Sequence, residues 1–416
     1  MTKSRLGIGF IGGGFNARFH IRSWVGVRDA DIMGVMDPDC VRAEEAAGLA
    51  RTLRVGEAKP YPSVTDMVAD PAIDALWICA PNFTRVEVME EIAAALDKGR
   101  GELAGVCCEK PLGRNVKEAR RMLELVRKAN VLDGYLENQL FAPAVTRGKE
   151  IVWARGAALS GPPYLARAAE EHSGPHMPWF WEGSLQGGGV INDMMCHSVE
   201  EARFMLTPPG RDRTYLTPLK VAAYASCLKW QDPAYAEILR KNSAGKTDYL
   251  LRPAEDFGRS LIEYRDEAGR TVVVETTTSW CYVGAGLRLS MELLGPEYAL
   301  QINTLDSGLK VFFSRKVTGR SGEDLVEKQN AETGLMPVVS NEESEYGYEA
   351  ENRHMVRSFL DGKRPQENFS DGLNVTELLM AAYMSVEQDK TIAFPPPGLE
   401  VFVPAVARGE WNPRKK

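Results

Sequence analysis

Hydrophobic residues along this 416-residue chain follow two different patterns. Up to about residue 140, short apolar runs alternate with segments whose apolar residues recur at helical spacing. This alternation of strand and helix patterns is typical of a parallel, doubly wound sheet with right-handed crossovers. The predicted strands are 5–11, 31–37, 74–80, 104–109 and 131–136, and the clearest predicted helices are 86–97 and 117–129.

The pattern changes after residue 140, where alternating and β-branched segments predict a mainly antiparallel sheet. Helices are predicted before Pro162, from about Asn192, and at 346–361 and 371–387. A polar excursion, 231–257, separates two of the predicted strands. The predicted strands of this part are 219–229, 259–265, 270–282, 286–295 and 298–303.

Length and composition indicate a soluble globular protein of two domains. The strand and helix patterns indicate an α/β fold, and their change near residue 140 predicts the domains 1–140 and 141–416. The formal charge of −7 gives no reason to expect nucleic acid or an anionic membrane surface as partner. We find no signal-peptide core and no apolar run of the roughly 18 residues that a membrane helix needs. The seven cysteines contain no CxxC pair, which favours a reducing, cytoplasmic location.

A glycine-rich turn follows the first predicted strand and fits the pattern G-x-G-x-x-G/A. Its special places are taken by Gly12, Gly14 and Ala17, with Phe15 and Asn16 between the last two. Such a turn lets a dinucleotide pyrophosphate approach the backbone at a helix N-terminus.

An acidic residue, Asp37, ends the second predicted strand 25 residues after Gly12, close to the expected spacing of roughly 20. A carboxylate here accepts hydrogen bonds from ribose hydroxyls and repels a 2′-phosphate, and no arginine directly follows it. The pattern therefore predicts NAD as the cofactor. The alternative is a structural turn followed by a surface aspartate.

Two further segments carry candidate chemistry. Lys110, in Cys108-Glu109-Lys110-Pro111, follows the predicted strand 104–109, where the carboxyl edge of a parallel sheet forms a ligand crevice. In the second segment, Asp193 and His197 stand four residues apart and share a helix face, where a carboxylate can orient an imidazole. Alone, either segment also fits a solvated surface lysine or a helix-surface pair.

Taken together, these blocks resemble the Gfo/Idh/MocA family, named for glucose–fructose oxidoreductase, inositol dehydrogenase and a rhizopine-catabolism protein. The resemblance covers nearly the whole chain. It includes the glycine fingerprint, the stretch 74–82, the Glu-Lys-Pro motif, the segment from Gly187 to His197, and the late helix Asp371–Met384 followed by Ile392-Ala393-Phe394-Pro395. It implies an N-terminal Rossmann domain and a C-terminal α/β domain with a large open sheet that commonly forms dimers and tetramers.

The resemblance also implies residue roles. Lys110 would hydrogen-bond the reacting oxygen, His197 would be the general base, and Asp193 would orient His197 or bind a neighbouring hydroxyl. Pro81 and Asn82 would lie near the cofactor. Glu109 would support the Lys110 loop.

This chain departs from its relatives in two places. Many relatives have a histidine where this chain has Arg85. Residues 99–102, Gly-Arg-Gly-Glu, also resemble an insertion at the place where the family has a compact Gly-Lys turn.

An aromatic segment, 171–182, precedes the Asp193–His197 block and suits the C–H faces and hydroxyls of a sugar. Its alternative is a packed loop with buried tryptophans, and no metal site is predicted. The candidate substrate contacts are His172, His176, Trp179 and Trp181, with Asn138 after the strand 131–136.

The sequence therefore predicts an NAD-dependent dehydrogenase that oxidises a secondary hydroxyl of a sugar, glycoside or inositol-like polyol, as a homodimer or homotetramer. Two alternatives stay open: a redox-assisted glycosidase that retains NAD, and a non-catalytic dinucleotide-binding sensor. The particular sugar, the direction of reaction and the role of the excursion are not predicted.

Overall fold

A computed structural model describes residues 4–313, 325–329, 331 and 333–411. The chain divides into two compact units. The first comprises the described residues up to Pro143 together with Glu343–Thr376, and the second comprises Ala144–Glu342 together with the described residues from Glu377 onwards. The return of 343–376 to the N-terminal unit has no counterpart in the sequence pattern, and the domain boundary at residue 140 stays a prediction.

Strands and helices alternate along the N-terminal part of the chain, as predicted. Two short elements between residues 59 and 69 were not predicted. The elements are β1 (Leu6–Ile11), α1 (Phe15–Ser23), β2 (Ala30–Met36), α2 (Cys40–Thr52), β3 (Lys59–Tyr61), α3 (Val64–Ala69), β4 (Ala75–Ile78), α4 (Arg85–Asp97), β5 (Gly105–Glu109), α5 (Val116–Ala129) and β6 (Leu132–Leu136).

The six strands form one parallel sheet in the order β3-β2-β1-β4-β5-β6. This is the predicted doubly wound Rossmann arrangement. The strand order reverses between β1 and β4, and ligands of such sheets bind outside the carboxyl ends of the strands at this point. The prediction of the fold class is confirmed for this unit.

Alternating side chains of the strands build the core on the two faces of this sheet. On one face, Leu76 belongs to a buried cluster with Met89 of α4 and Met122 of α5. On the other face, Trp77 packs edge-on against Trp24, with ring centroids 5.5 Å apart. Burial on both faces explains why the strands appear in the sequence as continuous apolar runs.

The second unit contains a larger sheet and the helices that flank it. Its elements up to residue 338 are α6 (Pro143–Ile151), α7 (Ala158–Ser160), β7 (Leu165–Glu171), α8 (Gly183–Gln186), α9 (Val190–Leu206), β8 (Leu216–Ser226), α10 (Pro233–Asn242), β9 (Phe257–Asp266), β10 (Thr271–Ser279), β11 (Arg288–Gly295), β12 (Tyr298–Asn303), β13 (Leu309–Phe313) and β14 (Gly334–Val338). The remaining elements of the chain are α11 (Glu342–Glu345), α12 (Tyr348–Leu360), α13 (Phe369–Gln388) and β15 (Ile392–Ala393), of which α12 lies in the first unit.

The strands of this sheet lie in the order β12-β11-β7-β10-β9-β8-β15. Within this sheet, the described strands pair in parallel only between β7 and β10, and all the other neighbours are antiparallel. The prediction of a mainly antiparallel sheet is therefore confirmed. Every second residue of β9 is buried, and α9 packs against β7, β9 and β10. One face of the sheet is thus covered and the other is open.

None of the helices in the described part of the chain combines the length and the apolarity that a membrane crossing requires.

Candidate active site

The turn between β1 and α1 requires glycine at its first position. Gly12 has a φ of +101°, and a Cβ atom placed there would lie 2.9 Å from the carbonyl group of Cys79. A side chain would therefore be strained by the backbone conformation and by the neighbouring strand end. Around Gly14, in contrast, a Cβ atom would meet no neighbouring atom within 4 Å, so the backbone there is open to approach.

The residues after this turn begin α1 and add features that fit a dinucleotide. Ala17 is fully buried, as close packing of helix and sheet requires, whereas Phe15 is 48 % exposed. The side-chain oxygen of Asn16 is buried and has no hydrogen-bond partner among the described residues. The open backbone at the helix N-terminus suits a pyrophosphate, and the unsatisfied Asn16 oxygen suits a hydroxyl or amide donor.

Asp37 directly follows β2, and its carboxylate is turned towards the glycine turn. Its Oδ2 accepts a hydrogen bond from the backbone N–H of Gly13 at 2.8 Å, and its Oδ1 accepts one from the N–H of Asp39 at 2.9 Å. The Arg42 guanidinium lies 3.7 Å from the same carboxylate. Although no arginine directly follows Asp37 in the sequence, the first turn of α2 brings one close in space.

The ends of β4 and β5 lie at the same edge of the sheet as the glycine turn, because these strands are parallel to β1. Pro81 and Asn82 follow β4, and the Asn82 side chain is buried. Glu109 is the last residue of β5 and is buried, and the partly exposed Lys110 follows it. All cofactor-site residues predicted in the N-terminal part thus lie at the carboxyl edge of one sheet.

A buried histidine holds the Glu109 side chain and was missed in the sequence. His20 Nε2, in α1, donates to Glu109 Oε1 at 2.8 Å, and Glu109 Oε2 accepts from the backbone N–H of Lys110 at 3.0 Å. Burial alone would raise the pKa of the Glu109 carboxyl. The His20 hydrogen bond and the charges of His20, Lys110 and Arg85 outweigh burial and hold this pKa below its ordinary value.

In the second unit, a buried carboxylate fixes the start of α9. Glu255 Oε1 accepts from the backbone N–H groups of Gly189 and Ile191 at 2.8 and 3.2 Å, and it also accepts from the Tyr383 hydroxyl. A Cβ atom at Gly188 would collide with that hydroxyl, and one at Gly189 with the Glu255 backbone. Close packing therefore requires glycine at positions 188 and 189, and Gly187 before them has a φ of +95°. Burial raises the pKa of Glu255 to about 7, although its hydrogen bonds oppose the shift.

The two candidate catalytic residues of α9 are buried and each has a neighbour from another strand or loop. Asp193 Oδ2 accepts a hydrogen bond from Trp280 Nε1 at 3.2 Å. His197 Nε2 lies 3.7 Å from Glu170 Oε2, on β7. Neither Glu170 nor Trp280 was singled out in the sequence. A carboxylate at this distance favours the protonated imidazole, which is the form a general base reaches after it takes a proton.

The aromatic segment before α9 is divided between packed and accessible side chains. Trp181 is 2 % exposed and packs against Trp230 and Trp280, with ring centroids 4.9 Å apart in both pairs. His172 is also buried, and its Nδ1 accepts from the backbone N–H of Gly174 at 2.9 Å. These packed residues fit the alternative of an ordered loop, and substrate contact by them stays a prediction.

The remaining candidate substrate contacts of this segment are more accessible. Trp179 stacks on Phe180 with ring centroids 3.8 Å apart, and His176 is exposed. In the first unit, Asn138 is buried and its side-chain amide donates to the backbone carbonyl of Tyr346 at 2.7 Å. A structural role is thus visible for Asn138, and its contact with substrate stays a prediction.

Comparison with known proteins identifies the N-terminal part. Residues 6–135 match the sequence model of the Gfo/Idh/MocA oxidoreductase family, described as having an NAD-binding Rossmann fold. This part of the chain is similar to that family. The resemblance stated from the motifs is thereby confirmed, and NAD is the cofactor that the family's description names.

Three curated relatives are sugar or polyol enzymes. A 1,5-anhydro-D-fructose reductase of Ensifer adhaerens is 30 % identical over 48 % of this chain and 56 % of its own length, and a myo-inositol 2-dehydrogenase of Thermotoga maritima is 27 % identical over 48 % and 54 %. This chain thus spans about half the length of these relatives. A D-apiose dehydrogenase of Paraburkholderia graminis is 24 % identical over 97 % of this chain and 93 % of its own.

Solved structures show the same fold over nearly the whole chain. GenD2 from gentamicin A biosynthesis, in complex with NAD, has a TM-score of 0.75 at 24 % identity and covers 95 % of this chain and 97 % of its own. A levoglucosan dehydrogenase with NADH and levoglucosan has a TM-score of 0.67 at 19 % identity, with coverages of 94 % and 99 %. At these identities the likeness shows the fold alone.

Proposed function

We propose that the protein is an NAD-dependent dehydrogenase acting on a secondary hydroxyl of a sugar, glycoside or inositol-like polyol. The observation that carries the proposal is that Lys110 follows β5 at the same sheet edge as the glycine turn after β1. A primary amine beside a dinucleotide turn can stabilise negative charge that develops on a reacting oxygen. The names of the curated relatives support the class of substrate.

The cofactor would be held by the turn that includes Gly12 and Gly14 and by the carboxylate of Asp37. The positive φ of Gly12, the open backbone at Gly14 and the unsatisfied oxygen of Asn16 support this assignment. Pro81 and Asn82, at the end of β4, would lie beside it. When bound, NAD supplies the hydride acceptor, and its intrinsic chemistry belongs to the cofactor.

Two side chains would divide the work on the substrate hydroxyl. His197 takes the hydroxyl proton at a ring nitrogen during oxidation and returns it during reduction, and the carboxylate of Glu170 stabilises the charged ring. Lys110 donates a hydrogen bond to a reacting oxygen as the C–H bond breaks. Asp193, fixed by the Trp280 indole, orients His197 or binds a neighbouring hydroxyl.

The test records absorbance at 340 nm, which follows formation of the reduced cofactor. The purified protein is mixed with each of a panel of sugars, glycosides and inositols, first with NAD and then with NADP. We expect absorbance to rise with one compound class and NAD, and at least about tenfold more slowly with NADP because Asp37 repels a 2′-phosphate. Equal rates with both cofactors would contradict the role of Asp37. A flat trace throughout, with NAD recovered from the denatured protein, would instead favour a glycosidase that retains NAD or a sensor.

The open face of the second sheet supports the further proposal that subunits associate there. Arg167 forms ion pairs with Glu275 at 3.3 Å and with Glu292 at 3.2 Å on this face, while Leu261 and Tyr224 are 40 % and 61 % exposed. A face that carries both charge signs and apolar side chains can pair with a copy of itself across a twofold axis.

Sedimentation velocity at micromolar concentration is expected to show a dimer or tetramer. The double variant Tyr224→Asp/Leu261→Asp should dissociate it, because unpaired charges would be buried at the interface. The matched control is Leu159→Asp, which changes a side chain that is 88 % exposed and lies in α7 rather than in a strand of the sheet. A monomeric wild-type protein would contradict the proposal.

A further inference from the structure

Arg85 forms hydrogen bonds at the ends of two neighbouring strands, β4 and β5. It is the first residue of α4 and is 5 % exposed. Its Nε donates to the backbone carbonyl of Ala80, after β4, at 2.9 Å. Its Nη1 donates to the carbonyl of Glu109 at 2.6 Å and also to the carbonyl of Pro111. One guanidinium therefore bonds the carbonyls of the residues on both sides of Lys110.

Burying an arginine at this position costs free energy that its hydrogen bonds must offset. A positive charge in the first turn of a helix opposes the helix dipole, and burying a guanidinium costs free energy unless it is paired or fully hydrogen-bonded. Among the described residues, no carboxylate lies within ion-pair distance of Arg85. Its hydrogen-bond partners are backbone carbonyls, for which the planar fork of arginine is suited because several donors are held in fixed geometry.

The loop that carries Lys110, residues 109–111, is thus held in two ways: through its backbone and through the side chain of Glu109. Arg85 bonds the carbonyls of Glu109 and Pro111, and the Glu109 carboxylate bonds the backbone N–H of Lys110 while His20 holds that carboxylate. The Ala80 bond ties the same loop to the segment that continues into Pro81 and Asn82. Loss of the guanidinium would release the loop on one side without touching the glycine turn.

We propose that Arg85 is a positioning residue that fixes the peptide groups flanking Lys110 and so sets where the lysine amine meets the reacting oxygen. The inference rests on the proposed dehydrogenase function. A lysine side chain is long and flexible. The position of its amine therefore depends on the conformation of the backbone from which the side chain extends. A displacement of about 1 Å at a reacting group can cost on the order of 10²-fold in rate.

The first experiment compares Arg85→Met with the wild type on the substrate found in the 340 nm panel. We expect kcat to fall about 10- to 100-fold, while the KM for NAD changes by less than about threefold because the glycine turn is intact. The primary deuterium isotope effect on kcat, measured with substrate deuterated at the oxidised carbon, should rise towards its intrinsic value as hydride transfer becomes rate-limiting. A merely structural role would lower the amount of active protein and leave the isotope effect unchanged.

Two further variants keep the test informative if Arg85→Met folds poorly. Arg85→Lys keeps a charged donor and is expected to recover part of kcat. Arg121→Met removes an exposed arginine paired with Glu90 and should behave as wild type. An Arg85→Met enzyme with unchanged kcat and isotope effect would overturn the inference while leaving the dehydrogenase assignment standing.

A readout independent of turnover separates failure of the inference from failure of the proposed function. Amide hydrogen exchange in a peptide covering 108–113 should be about tenfold faster in Arg85→Met than in wild type. Two backbone carbonyls of this loop lose their hydrogen-bond donor, so the loop opens more often and exposes its amide groups. This comparison needs no substrate, so it holds even if the panel finds none. Unchanged exchange in this peptide would show that Arg85 does not hold the loop.

Discussion

Replacing Lys110 with methionine is expected to lower kcat by about 10²- to 10³-fold, the range found when one donor to a developing oxyanion is removed. Methionine has a similar length and apolar stem but cannot donate a hydrogen bond. The buried Glu109 carboxylate beside it keeps its His20 bond, so the loop should retain its shape. The measurement is steady-state kcat at 340 nm with the substrate identified in the panel.

The loss should lie in kcat rather than in cofactor affinity. Titration of intrinsic fluorescence with NAD is expected to give a Kd within about threefold of wild type, since the interaction removed acts mainly in the transition state. Lys117→Met, an exposed lysine on α5, is the matched control. A Lys110→Met enzyme with kcat within threefold of wild type would contradict the assigned role.

The predictable part of the fold is the part in which local pattern and tertiary environment agree. Strands β1 and β5 are buried on both faces, so their apolar runs stand out in the sequence. β7 was missed because Leu-Ala-Arg-Ala-Ala-Glu-Glu is rich in residues that favour helices, and its pairing with β10 and β11 overrides that preference. β3 was missed because three residues that include a proline give no periodic signal.

The excursion 231–257 illustrates the same limit. It contains α10, which begins with Pro233 after Asp232, and the Asp232 side chain accepts from the backbone N–H of Ala234. Proline at the first helical position after an aspartate is a recognisable start signal. That signal was available in the sequence and was outweighed by the polar composition around it.

In the candidate site, the residues that stand in motifs were predictable from the sequence, but the residues that hold them in place by hydrogen bonds were not. Gly12 and Lys110 stand in short local patterns. His20 and Arg85 act on the Lys110 loop from 89 and 24 residues away from Glu109, and no spacing rule joins residues so far apart. Arg85 was noted only because it departs from a resemblance. The close approach of Arg42 to Asp37 depends on where α2 begins, which the hydrophobic pattern does not define.

The second large effect is expected for His197→Ala, with kcat lower by about 10²- to 10⁴-fold, the usual contribution of a general base. The variant should also lose the acidic limb of the wild-type profile of kcat/KM against pH, because no imidazole remains to be deprotonated before it can accept the hydroxyl proton. The Asp193–Trp280 hydrogen bond lies one helical turn away and should persist, so NAD binding and thermal stability serve as controls. An acidic limb that survives in the variant would assign that ionisation to another group.

The double variant Lys110→Met/His197→Ala decides whether the two residues serve one step. If both act on the same substrate oxygen, removing the second after the first should cost far less than its single loss, since groups that act as a unit are strongly non-additive. If the two losses in kcat multiply, the two side chains contribute independently, and the hypothesis that both act on one substrate oxygen is wrong.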